Sequence, residues 1–182
     1  MSQPIQDPPR LEQFNAAYEA LQDRILMRIR TSDGAEFRFW ITRRYLALLW
    51  PLLMKMADAF SARKSSDPLT RSALAELAHG EAVGQADFAS QYQEGTLFPL
   101  GPDPVLLARI SLRPPAGETQ TLILLPQEGQ GINLDLDEKL VHILARLLQQ
   151  AATVAEWALK LDVAPGMSGA DLATGTSPRR LH

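Results

Sequence analysis

RILMRIRTSDGAEFRFWI, Arg24–Ile41, is the stretch on which the reading of this chain turns. Ile25, Met27 and Ile29 alternate with Leu26, Arg28 and Arg30, and Phe37, Phe39 and Ile41 alternate with Glu36, Arg38 and Trp40. A period of two over both halves, broken by Ser-Asp-Gly, predicts a β-hairpin. Its register follows from side-chain chemistry. A two-residue Asp33-Gly34 turn would set Ile29 against Arg38 and mix apolar with charged residues on one face. A three-residue loop, Ser32-Asp33-Gly34, closes with glycine in the left-handed region and pairs Ile29 with Phe37, Met27 with Phe39 and Ile25 with Ile41. One face is then wholly apolar, so this register is preferred. The other face carries Arg28 opposite Arg38 and Leu26 opposite Trp40. Opposed like charges cost about 0.2–1 kcal/mol in a strand pair, which calls for a carboxylate, an aromatic face or a bound anion beside them.

The chain continues as TRRYLALLWPLLMKM. Thr42 is suited to cap a helix, with Arg43 and Arg44 in its first turn. Tyr45–Met54 is too short an apolar run to span a bilayer, and its apolar residues lie on most faces of a helix, so it reads as a central core helix to about Ala62. Pro51 should kink it or begin a second segment. Upstream, Leu11, Phe14, Tyr18 and Leu21 recur at helical spacing and predict a short amphipathic helix. Downstream, Ser66 or Asp67 with Pro68 starts a helix over 68 to about 91. VLLARISLR and TQTLILLP read as a second hairpin, with a short strand in GINLDL. A last helix, expected to reach about Leu161, opens on an Asp135/Glu138 capping box, with His142 off its apolar stripe.

These elements predict an α+β fold: a small antiparallel sheet of two hairpins, helices mainly on one face, in the order α-ββ-α-α-ββ-α. A strand pair followed by a long helix occurs twice, as a degenerate duplication would leave it. Residues 1–9 read as a disordered arm, 10–161 as a single domain and 162–182 as a disordered tail.

The chain has 182 residues, a formal charge of −3, 46% hydrophobic residues and no cysteine. Thiolate ligands, disulfides and cysteine nucleophiles are thereby excluded, and a reducing cytoplasm is expected. No signal-peptide pattern opens the sequence. The histidines are His79, His142 and His182. Glu76 and His79 lack the second pair of a di-iron helix bundle, and a solvated His79 is expected. EGQGINLDLDEK lacks the Lys-Ser/Thr of a phosphate loop and carries acids that would repel an anion. No catalytic residue, cofactor or metal is therefore assigned.

A candidate surface remains. If both hairpins join one sheet with their apolar faces inward, the outer face gathers Leu26, Arg28, Arg30, Arg38, Trp40, Leu107, Arg109 and Arg113, with Arg43 and Arg44 nearby. Trp and Arg among aliphatic residues is the composition of a protein-interface hot spot. The expected function is a non-enzymatic interaction module, an adaptor or accessory subunit, whose partner presents an acidic surface, with self-association as a homodimer. Two alternatives stand beside it: single-stranded nucleic acid stacked on the same face, and an enzyme or small-molecule sensor with a pocket between the sheet and the Trp50 helix. A plainer outcome is a solvated face whose arginines pair with local acids such as Glu36 and Glu118.

Overall fold

A computed structural model of the chain describes residues 9–163. The arm and tail expected at the two ends fall almost wholly outside the described residues. The sheet forms around the hairpin. β2 (Arg24–Thr31) and β3 (Glu36–Ile41) pair antiparallel with Ile29 opposite Phe37, Met27 opposite Phe39 and Ile25 opposite Ile41. The loop closes through Thr31 N–H to the Ala35 carbonyl at 2.9 Å, with Gly34 at φ +81°. The inward set Ile25, Met27, Ile29, Phe39 and Ile41 is fully buried.

The first element departs from expectation. Leu11–Glu19 is a strand, β1, antiparallel to β2. Its inward residues are Phe14, Ala16 and Tyr18, partners of Ile29, Met27 and Ile25. The four-residue gap between Phe14 and Tyr18 fits a strand as well as a helix, because both lie on one face at a period of two. Pairing with a preformed hairpin decides between them.

α1 (Arg43–Ala62) starts on a Thr42 side chain that accepts a bond from Tyr45 N–H at 3.1 Å. It runs unbroken through Pro51, whose ring is exposed. Leu46, Leu49, Leu53 and Met56 are fully buried against the sheet. α2 (Pro68–Gln85) starts on Asp67 and is shorter than expected; only Ala75 and Ala82 are buried in it.

β4 (Val105–Leu112), β5 (Gln120–Pro126) and β6 (Ile132–Leu136) form a second meander, followed by α3 (Glu138–Val154). The six strands make one sheet in the order β1-β2-β3-β4-β5-β6. β3 and β4 are parallel, so the sheet is mixed and not purely antiparallel. The repeating unit is three strands and a helix, larger than the hairpin and helix read from the sequence. Both helical halves share one core on one side of the sheet, from Ile25 and Phe39 to Leu122, Leu134 and Leu148.

α3 is capped by Asp137, which accepts from Leu140 N–H at 2.8 Å, and not by Asp135. Asp135 stays on β6 and accepts a hydrogen bond from the Thr121 hydroxyl at 2.5 Å. α3 ends at Val154, short of Leu161. The chain then turns back through Glu156 and Ala158, both at positive φ, and buries Trp157 and Leu161. His142 is fully buried, not off the stripe, and its Nδ1 lies 3.3 Å from Nδ1 of His79, which is partly buried rather than solvated.

Candidate functional site

The outer face of the sheet has two unlike halves. Cross-strand partners set the rows on the β1–β3 side. Ala17, Leu26, Trp40 and Leu106 form one row across four strands. Asn15, Arg28 and Arg38 form the next, and Gln13, Arg30 and Glu36 the third. Arg28, Arg30 and Arg38 therefore do share one face, as the hairpin register requires.

That face is strapped by the connection from α2 to β4, residues 86–104. Leu97 bridges to Ala35 in parallel, with Glu36 N–H bonding the Leu97 carbonyl at 2.8 Å. Each arginine has partners in the strap or on β1. Arg28 donates to Asn15 Oδ1 at 3.0 and 3.2 Å, pairs with Glu94 at 3.4 Å and stacks 4.3 Å from the Tyr92 ring centre. Arg30 pairs with Glu12 at 2.9 Å and donates to Gln93 Oε1 at 3.0 Å. Arg38 bonds Glu36 at 2.6 Å, reaches the Pro102 carbonyl at 3.2 Å and lies 4.7 Å from the Phe98 ring centre. Carboxylates and aromatic faces thus offset the opposed charges of Arg28 and Arg38.

Glu36 is the anchor of this arrangement. Burial alone would raise its carboxyl pKa, but the Gly95 N–H at 2.5 Å and the Arg38 guanidinium outweigh that and hold it below the usual range.

The second half turns on a bulge between Leu107 and Arg109 in β4. One added residue shifts the alternation, so Leu106 faces outward and Leu107 inward. Leu107 is buried in the core and leaves the candidate surface, while Leu106 is 43% exposed. A regular alternation along β4 predicts these two faces the other way round; the bulge reverses them. Beyond it, Arg109 and Ser111 pair with Leu125 and Ile123 on the outer face. Arg109 donates Nε to the Pro126 carbonyl at 3.1 Å, and Arg113 is exposed. Arg43 and Arg44 are exposed on α1, which packs on the opposite side of the sheet, so they do not extend this face.

The space between the sheet and α1 is filled by buried side chains, and Trp50 Nε1 donates to the Asp162 carbonyl at 3.3 Å. Among the described residues no group of three or more His, Asp or Glu side chains is placed to hold a metal ion, and no helix is long and apolar enough to cross a membrane.

The fold and site therefore define an α+β protein with a six-stranded mixed sheet, helices on one face and a half-strapped outer face. No family model, no curated protein and no solved structure matches the chain.

Proposed function

We propose that this protein is an interaction module, an adaptor or accessory subunit, that docks an acidic protein surface on the unstrapped part of its sheet. In keeping with its cysteine-free sequence, we assign it to the cytoplasm. The observation that carries the reading is the outward row of Leu26, Trp40 and Leu106, with Arg109 at the next outward position of β4 and Arg113 exposed beyond the end of that strand. A partly exposed tryptophan beside an exposed leucine supplies the desolvated anchor, and cations at its margin choose a partner of opposite charge. Arg28, Arg30 and Arg38, engaged by the strap and β1, shape the surface rather than bind directly.

The test is affinity purification from the native host with the intact chain, the double variant Trp40→Ala/Leu106→Asp, and Leu69→Asp on the exposed side of α2 as control. A stoichiometric protein retained by the intact chain and by Leu69→Asp, and lost from the double variant at unchanged melting temperature, supports the reading. Equal retention by all three refutes it. Capture of nucleic acid that falls steeply with salt would replace the protein partner by a polyanion.

A further inference from the structure

β1 is an open edge of the sheet, and the direction of its free hydrogen-bonding groups can be worked out. The Thr31–Ala35 closure bond points odd-numbered residues of β2 toward β3. Main-chain groups alternate in direction along an antiparallel strand, so Leu26, Arg28 and Arg30 point toward β1. Their partners Ala17, Asn15 and Gln13 use their groups within that ladder. Phe14, Ala16 and Tyr18 therefore turn their N–H and C=O groups away from the sheet. No turn, loop or side chain among the described residues bonds those groups.

An open edge of this length is normally guarded by proline, lysine, a central bulge or an inward charge. β1 is nine residues long with neither proline nor lysine. Its irregularity is confined to the Leu11/Gln13 end, and its inward residues are Phe14, Ala16 and Tyr18. The opposite edge, β6, is different: five residues, with Asn133 and Asp135 exposed along it.

We infer that β1 is the seam of a homodimer, in which two copies pair this strand antiparallel about a two-fold axis at Ala16. In that register Ala16 faces Ala16 of the second copy and Phe14 faces its Tyr18. Each of the outward-pointing residues then gains a hydrogen-bonded partner. The partly buried Phe14 and Tyr18 side chains, at the open margin of the core, are covered by their counterparts. Glu19 falls opposite Gln13 of the second copy, and Glu12, at the irregular end of the strand, is already neutralised by Arg30, so no two acids stand directly opposite. The contact is isologous and closes at two copies, with one sheet running through both and the helices on one side. Self-complementarity of register and charge favours a second copy over a foreign strand.

Light scattering on the full chain should give about twice its 20.1 kDa mass at tens of micromolar. Ala16→Pro removes an N–H that the β1–β2 ladder does not use, so it should keep its circular dichroism and dissociate at least tenfold more readily. The chain has no cysteine, which allows a second reading. Ala16→Cys should crosslink to a dimer under mild oxidation, because a hydrogen-bonded antiparallel pair sets its Cα atoms about 5.5 Å apart, within disulfide reach. Asn133→Cys on β6 should not. A monomer at every concentration overturns the inference, whatever else the edge binds. So does a dimer that survives in folded Ala16→Pro, or one that Ala16→Cys fails to crosslink. If Ala16→Pro does not fold, the cysteine result decides alone.

Discussion

The carboxylate of Glu36, fully buried, accepts a hydrogen bond from the main-chain N–H of Gly95 at 2.5 Å, joining residues 59 positions apart. Its other oxygen accepts a hydrogen bond from Arg38 Nε–H at 2.6 Å. One side chain thus fixes both the strap and the guanidinium beneath it. Gly95 has no room for a side chain: a Cβ there would sit 2.6 Å from Glu36 Cβ and 2.8 Å from the Gly34 carbonyl oxygen.

Loss of this anchor should loosen the strap and the fold together. Glu36→Ala leaves the Gly95 N–H and the Arg38 guanidinium without their acceptor, and should lower unfolding free energy by about 2–4 kcal/mol. Gly95→Ala forces a steric shift at the same point and should cost about 1–3 kcal/mol. Urea denaturation measures both. Limited proteolysis within residues 87–103 should accelerate in each variant. A stable Glu36→Ala protein with an uncut strap would remove the anchor role.

Acid should weaken the fold before the carboxylates titrate. His142 is fully buried, with its Nε2 unpartnered among the described residues. Desolvation, then the neighbouring His79, lowers its pKa from 6.5 to about 4, with Lys64 acting in the same sense and Glu138 against it. His79 is lowered too, by burial and by Arg146. The sign follows from proton counting. Below about pH 6.5 the unfolded chain binds a proton that the folded chain refuses, so stability falls as pH drops toward 4. For one such histidine the loss between pH 7 and pH 5.5 is roughly 1 kcal/mol. Urea midpoints at these two pH values measure it, and His142→Leu should flatten the difference. A wild-type midpoint independent of pH over this window would contradict the assignment.

The hairpin was legible because alternation and Asp33-Gly34 specify a register using contacts near in sequence, and every expected pair from Ile25–Ile41 to Ile29–Phe37 is present. β1 was not, because Ala16 supplies an inward position with little hydrophobic contrast, leaving Leu11, Phe14, Tyr18 and Leu21 to imitate a helix. The co-facing of Arg28 and Arg38 followed from register alone. The strap over them did not, since Tyr92, Glu94 and Phe98 lie in a segment without periodicity, and only the fold brings it to β3. Leu107 turns inward because of a bulge, which one sequence does not announce. The burial of His142 is not legible on a helix wheel, which counts histidine as polar, whereas α2 covers that side of α3.

The segment after α3 belongs to the core, and Trp157 should prove it. Its ring is buried and meets Tyr18 edge-on at 6.1 Å between centroids, and its Nε1 donates to Asp23 Oδ1 at 3.0 Å. Asp23 also accepts from the Tyr18 hydroxyl at 2.9 Å, and the two bonds together hold its carboxyl below the usual range. The same segment returns carbonyls to the helices: Leu161 to Gln149 Nε2 at 2.7 Å, and Asp162 to Trp50 Nε1 at 3.3 Å. Trp157→Ala removes a large buried ring and leaves a cavity between this segment and β1, so it should cost about 3–5 kcal/mol. Trp157→Phe keeps most of the apolar contact but loses the bond to Asp23, and should cost about 1–2 kcal/mol. Chemical denaturation of the two variants against wild type gives both values. Equal small losses would mean that the ring closes nothing, and that the core ends at Val154.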